Sequence, residues 1–162
     1  INPDQIARDE FGDWNSPEAV LKAVREAEKR RHEALGRRSS LAFETVLSTA
    51  EKIDFIRQAK EAGYFIRLFF VSTESPAINA ARVTQRFIEG GHEVPIGKIV
   101  SRFGRSVANG ILAAKLADRA YFYDNSVDGQ AARLLFRTEY GKIRKRYSSL
   151  PPWAKLVASE LR

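Results

Sequence analysis

The sequence predicts an α/β protein: a doubly wound, mostly parallel sheet with helices on both faces. Three observations predict it. Strand-like and helix-like stretches alternate along the chain, which argues for a parallel sheet. The run Tyr64-Phe65-Ile66-Arg67-Leu68-Phe69-Phe70-Val71 is nearly continuous in apolar residues, as a central strand covered on both faces requires. The chain has 162 residues and no cysteine, enough for one domain whose core needs no disulfide or thiolate-metal staple.

The elements follow in order. Asn15-Ser16-Pro17-Glu18 reads as a helix start. Ser16 suits the cap, Pro17 the first helical position and Glu18 the positive helix end. This helix is expected to run to about Leu35 and stop at Gly36. Val20, Leu21 and Val24 are its apolar positions; residues 26–33 are almost all charged and predict an exposed stretch. Residues 39–43 read as a short buried strand. A second helix is expected from Thr45 to Ala62, because Val46, Leu47, Ala50, Ile53, Ile56 and Ala59 recur at helical spacing, and Gly63 ends it. The apolar run at 64–71 is the strongest strand. Ser75-Pro76 opens a third helix, which ends at Gly90-Gly91. A fourth runs from Pro95 to Leu116, after the turn His92-Glu93-Val94. Residues 120–123 form another short strand, stopped by Asp124-Asn125-Ser126. The tail combines a basic stretch, a Pro151-Pro152 break and a short amphipathic helix with Trp153, Leu156 and Val157.

Composition bounds the function. Hydrophobic residues make up 44% and charged residues 29%, which is ordinary for a soluble domain. The longest apolar stretch, 68–71, falls far short of the ~20 residues a membrane span needs. The N-terminus is polar from Asn2 onward and carries no secretory signal pattern, so a cytoplasmic home and no membrane partner are expected. The chain starts at Ile1 and contains no methionine, which suggests a fragment of a longer protein. Lys and Arg number 27 against 20 Asp and Glu, a net charge of +7. The cations cluster at 22–38, 82–105 and 133–146. Such a balance favours anionic partners: a nucleotide, nucleic acid or an acidic protein. For any single cluster, a solvated basic face is the simpler explanation.

Four segments carry a more specific signal. They are Ile1-Asn2-Pro3-Asp4-Gln5-Ile6-Ala7; Ser40-Leu41-Ala42-Phe43-Glu44-Thr45-Val46-Leu47-Ser48; Arg82 and Arg86 leading to Gly90-Gly91-His92-Glu93-Val94-Pro95, with Ile99, Arg102 and Arg105-Ser106 beyond; and Tyr123-Asp124-Asn125-Ser126. In this order they resemble the zeta toxin family and its P-loop kinase relatives, over nearly the whole chain. The resemblance implies a single P-loop kinase-like domain over 1–162 with a helical lid at 76–116. It implies an ATP-dependent phosphotransferase acting on a small-molecule hydroxyl, that of a UDP-amino sugar. It also implies a toxin role, with a small antitoxin that blocks nucleotide entry. The family's G-x-x-x-x-G-K-[ST] loop does not occur here; Gly90-Gly91 and Gly104 lack the Lys-Ser/Thr that follows it. The 162 residues alone are therefore not expected to be an active kinase. Mg2+ is expected to be held mainly by the nucleotide and that loop.

The residues suit these roles to different degrees. The resemblance makes Asp4 the general base that orients and accepts the substrate hydroxyl proton; read alone, Asn2-Pro3-Asp4 is a turn and a helix cap. Asn2, Glu44 and Thr45 are the acceptor-binding candidates, since Glu44 and Thr45 follow a strand whose carboxyl end should open on a ligand crevice. Glu44 also serves well at a helix start. Arg82 and Arg86 share one helix face, and Arg102 and Arg105 are spaced i,i+3 on the next helix. Planar, permanently charged guanidinium groups on two such helices can close over phosphates; Arg86 and Arg102 are assigned to catalysis and all four to the lid. A solvated basic face is the alternative. Asp124 and Asn125 are placed near the nucleotide base by analogy with related kinases, or else form a polar turn. His92 reads as a turn histidine and His32 lies in a charged helix, so no metal site is expected. The tail cluster 142–146, with Tyr140 and Tyr147, mixes cations and aromatics as nucleic-acid surfaces do; an amphipathic helix with a basic outer face explains it more simply.

Two other classes of function compete. One is a non-catalytic nucleotide or polyanion binder that has lost its phosphate loop. The other is a basic nucleic-acid-binding module, which the lid-like arginine pattern argues against.

Overall fold

A computed structural model describes residues 1–12, 16–91 and 94–161. The described residues form α1 (Pro3–Phe11), α2 (Pro17–Gly36), α3 (Ala50–Glu61), β1 (Arg67–Ser72), α4 (Pro76–Ile88), α5 (Ile96–Leu116), β2 (Arg119–Asp124), β3 (Arg133–Glu139), β4 (Lys142–Arg146) and α6 (Pro152–Glu160). They divide into two compact units: Ile1–Val46 with Val83–Val94, and Leu47–Arg82 with Pro95–Arg162. No described helix is long and apolar enough to cross a membrane.

In the first unit, Pro3 opens α1, where a missing N–H leaves no bond unmade. Ser16 Oγ accepts from the Ala19 amide at 3.0 Å and caps α2 as expected. The two helices bury Ile6, Ala7, Ala23 and Ala27 against one another, with Ile1 at the margin. The end of α2 differs from expectation. Arg38 N donates to Leu35 O at 3.1 Å and Ser39 N to Ala34 O at 3.0 Å, with Arg38 at φ 53. These paired bonds satisfy the last carbonyls, with an arginine in the left-handed position that glycine favours. The helix therefore runs through Gly36.

Residues 39–43 do not form the expected strand. Instead, Ile1 N donates to Ala42 O and Glu44 N to Ile1 O, a pattern of parallel pairing only one rung long. A single rung is too short a ladder to register as a strand.

The second unit holds a sheet of order β1-β2-β3-β4. The β1–β2 pair is parallel, while β2–β3 and β3–β4 are antiparallel. The mostly parallel sheet expected from sequence is thus limited to one pair. After β2 a short loop, not a helix, returns the chain, so β3 must run antiparallel. Tyr140 and Gly141, both at positive φ (50 and 73), form the two-residue turn that closes the β3–β4 hairpin. The basic stretch 142–146, expected on an amphipathic helix, is edge strand β4. β1 is an edge strand rather than a central one, and Arg67, Phe69 and Val71 on one of its faces are exposed.

Helices α3, α5 and α6 share one core with the other face of the sheet. The Phe122 and Phe136 rings stack at 4.5 Å, and Phe70 lies 5.5 Å from Phe122 and 6.1 Å from Trp153. On α5, a Cβ at Gly110 would stand 2.6 Å from the Phe70 ring, so only glycine lets the helix approach this closely. The helix expected from Thr45 begins at Ala50. Leu47 is buried at φ 56, and its carbonyl accepts from Asn109 Nδ2 at 2.9 Å. Burial of that side chain in a left-handed kink overrides the helical spacing. α3 ends at Gly63 as expected, with Gly63 N bonded to Lys60 O and Tyr64 N to Ala59 O. α4 ends in the same way at Gly90-Gly91. A Cβ on Gly91 would meet the Arg86 carbonyl oxygen at 2.7 Å.

Candidate functional site

In the first unit, one side chain organises the acceptor-side candidates. Asn2 Oδ1 accepts from the amides of Asp4 (2.9 Å) and Gln5 (3.4 Å), while Asn2 Nδ2 donates to Glu44 Oε2 at 2.8 Å. The two oxygen-and-nitrogen ends of one amide thereby tie the first turn of α1 to Glu44 across 42 positions of sequence. Asp4 and Glu44 are both exposed, as is Thr45 beside Glu44. Asn2 is thus a cap, as its local sequence suggests, and also a bridge between two carboxylate-bearing segments.

In the second unit, polar residues gather where β1 and β2 end, the carboxyl ends of the one parallel pair. Asn125 N donates to Ser72 O at 2.8 Å, continuing the pairing past β2. Thr73 Oγ1 lies 3.0 Å from Ser75 O and 3.1 Å from Asn79 Oδ1. Ser126 Oγ accepts from Glu74 N at 2.8 Å and donates to Asp124 Oδ1 at 2.6 Å. The buried Asp124 carboxylate also accepts from Trp153 Nε1 (3.2 Å) and pairs with Arg133 (3.7 Å). Asp124 thus holds the loop in place, and Asn125 lines the adjoining cleft. That cleft, about 190 Å³, is formed by Asp124, Asn125, Val127, Gln130, Ala131 and Arg133.

The four arginines divide. Arg82 donates to Asn125 O at 2.7 Å and stands 3.5 Å from Asp128, fastening α4 to the loop after β2. Arg86 and Arg105 are exposed and Arg102 is half-buried; none of the three makes an ion pair with a described residue. Arg86 belongs to the first unit and Arg82, Arg102 and Arg105 to the second. Asn15, His92 and Glu93 lie outside the described residues. Among the described residues no group of three His, Asp or Glu side chains is placed to hold a metal ion. Sequence reasoning missed Thr73, Asn79, Gln130 and Arg133. The signal for Thr73 was available: Ser72-Thr73-Glu74-Ser75 directly follows the strongest strand, where α/β sheets bind ligands.

The profile of one protein family, described as Zeta toxin, matches residues 13–117. The chain belongs to the zeta toxin family. Membership makes this a kinase-like protein and agrees with the mixed α/β fold of a four-stranded sheet and helices. The zeta toxin match covers Glu44, Thr45, Arg82, Arg86, Arg102 and Arg105, while Asn2, Asp4, Asp124 and Asn125 lie outside it. The Asn2–Glu44 hydrogen bond, with the Ile1 backbone bonds and the packing of α1 on α2, ties the turn that bears Asp4 to the matched region. No curated protein and no solved structure matches the chain.

Proposed function

We propose that this zeta toxin family member is an ATP-dependent kinase that phosphorylates a hydroxyl of a small molecule of the UDP-amino sugar class. The observation that carries the proposal is Asn2, whose amide holds Asp4's helical turn and Glu44 at once. Asp4 accepts the proton of the acceptor hydroxyl as its oxygen attacks the γ-phosphorus. The bond from that phosphorus to the bridging oxygen of ADP breaks, and ADP leaves. Glu44, Asn2 and Thr45 orient the acceptor. Arg86, Arg102 and Arg105, with no ion pair to any described residue, are suited to the phosphate oxygens. Arg82 acts on the lid by fastening α4.

The cleft beside Asp124 and Asn125 fits a nucleotide base. Asn125, Gln130 and Arg133 offer hydrogen-bonding groups, and Val127 and Ala131 an apolar wall. Mg2+ would be held mainly by the nucleotide phosphates and the family's phosphate loop, and would supply neutralisation of the phosphate charge. The proposal includes a single doubly wound P-loop kinase domain with residues 76–116 as lid, and a cytoplasmic toxin restrained by a small antitoxin. The parallel β1–β2 pair, with polar loops at its carboxyl ends, supports that fold. The 162 residues contain no G-x-x-x-x-G-K-[ST] motif, so the test uses the full-length natural protein. It is incubated with γ-labelled ATP, Mg2+ and a panel of UDP-sugars. Label on a UDP-amino sugar is the expected result; ATP consumed without label on any acceptor contradicts it.

A further inference from the structure

The cleft at the carboxyl ends of β1 and β2 is lined by one side chain whose backbone is held on both sides. Asn125 N donates to Ser72 O at 2.8 Å, and Asn125 O accepts from Arg82 Nη1 at 2.7 Å. Its neighbours are anchored as well. The buried Asp124 carboxylate accepts from Trp153 Nε1 at 3.2 Å, and Ser126 Oγ lies between the Glu74 amide (2.8 Å) and Asp124 Oδ1 (2.6 Å). Both backbone polar groups of Asn125 are therefore used. Its half-buried side chain lines the cleft and hydrogen-bonds to no described residue. A carboxamide on a fixed backbone, with donor and acceptor both uncommitted, is suited to reading the edge of a planar ligand. A doubly wound domain leaves this place open, because its helices cover the faces of the sheet and not the carboxyl ends of the strands.

Resting on the reading of this cleft as the nucleotide-base site, we infer that Asn125 determines which base is taken. Its amide accepts from N6 and donates to N7 of adenine, and it rejects guanine. A carboxamide matches that adenine edge, one donor beside one acceptor. Guanine shows O6 and N7 there, two acceptors, and would set O6 against the amide oxygen. Arg133 is the cleft residue whose fork would suit two acceptors, but it stands 3.7 Å from the buried Asp124 carboxylate, which holds it by charge. Gln130 carries the same carboxamide as Asn125 but is exposed, so water competes for it.

The test is isothermal titration calorimetry of the full-length natural protein and its Asn125→Ala and Asn125→Asp variants, in Mg2+, with ATP, GTP, 7-deaza-ATP and inorganic tripolyphosphate. The wild type is expected to bind ATP about tenfold or more tightly than GTP. 7-Deaza-ATP has carbon in place of N7 and is expected to bind about three- to tenfold more weakly than ATP, the loss of one hydrogen bond. In Asn125→Ala both differences are expected to vanish while tripolyphosphate affinity remains, which shows that the variant is folded. In Asn125→Asp the carboxylate can accept from N1–H and N2–H of guanine, and GTP is expected to overtake ATP. The ratio is the readout, because the added charge weakens all the nucleotides alike. The inference is overturned if the wild type binds ATP and GTP equally, or if Asn125→Ala keeps both wild-type ratios; nucleotides bound more tightly than tripolyphosphate would then leave the cleft a base site read by other groups. Wild-type protein that binds nucleotides no more tightly than tripolyphosphate overturns the base-site reading itself, and the inference with it.

Discussion

Replacing Asp118 with asparagine separates the fold from the chemistry, because Asp118 sits at the amino end of β2, opposite the polar loops. Its carboxylate is buried, 7% exposed, and accepts from Lys60 Nζ and from the Ile66 amide at 2.7 Å. One side chain thus joins α3, the approach to β1 and the start of β2. Burial pushes this carboxyl up, but the Ile66 amide and the Lys60 ammonium together outweigh it and hold it below its usual value. A hydrogen bond to a charged group contributes about 1.5–3 kcal/mol. The amide bond survives in weakened form in Asp118→Asn, and Lys60 is about a third exposed, so its share is reduced by solvent. A loss of about 1–2 kcal/mol is expected for Asp118→Asn, and about 3 kcal/mol for Asp118→Ala, which strands the Ile66 amide. The sign with pH follows from the depressed value. The ionised carboxylate stabilises above its unfolded pKa of about 3.9, and the contribution fades as pH falls through the folded value. Urea unfolding followed by circular dichroism, at neutral pH and at about pH 3, measures both. The gap between wild type and Asp118→Asn should narrow in acid. Equal stabilities at neutral pH, or a gap unchanged at low pH, would refute the reasoning.

Further outcomes follow from packing and backbone geometry. Gly110→Ala forces a methyl against the Phe70 ring and should destabilise the protein by about 1–3 kcal/mol in the same unfolding assay, whereas Gly104→Ala, inside α5 where nothing lies near, should stabilise it by up to about 1 kcal/mol. Arg38→Gly relieves a left-handed arginine and should raise thermal stability by up to about 1 kcal/mol, whereas the β-branched Arg38→Val should lower it. Loss of stability in Arg38→Gly would mean that the arginine side chain matters more than its backbone.

Where a signal is local, the sequence carries it well. Ser16-Pro17 starts α2, Gly63 and Gly90-Gly91 end α3 and α4, and the apolar runs at β1 and β2 are strands. The misses have two kinds of cause, local backbone choices and distant contacts. Gly36 is passed over because Arg38 accepts the left-handed position. Leu47 breaks the helix expected from Thr45, and Asn109, 62 residues away, holds its carbonyl. β4 escaped because Lys142-Ile143-Arg144-Lys145-Arg146 has only one apolar residue, and Tyr140-Gly141 places a tyrosine where two-residue hairpin turns favour Asn, Asp or Gly. The candidate site shows the same division. Asn2 as a cap is legible from its neighbours, but its bond to Glu44 is not, since no local spacing connects them. Nor does spacing reveal that Arg82 is bound to a loop backbone while Arg86 makes no ion pair with a described residue.

The most direct test of the kinase account is single-turnover phosphate transfer by the full-length natural protein and its Asp4→Asn variant, with nucleotide affinity measured in parallel. Asparagine keeps the size and the exposed position of Asp4 but cannot accept the hydroxyl proton. The account predicts a fall in transfer rate of about 10²–10⁴, with ATP bound as tightly as before. Transfer at near the wild-type rate would contradict it, because the carboxylate on the helical turn that Asn2 caps would then have no part in the chemistry.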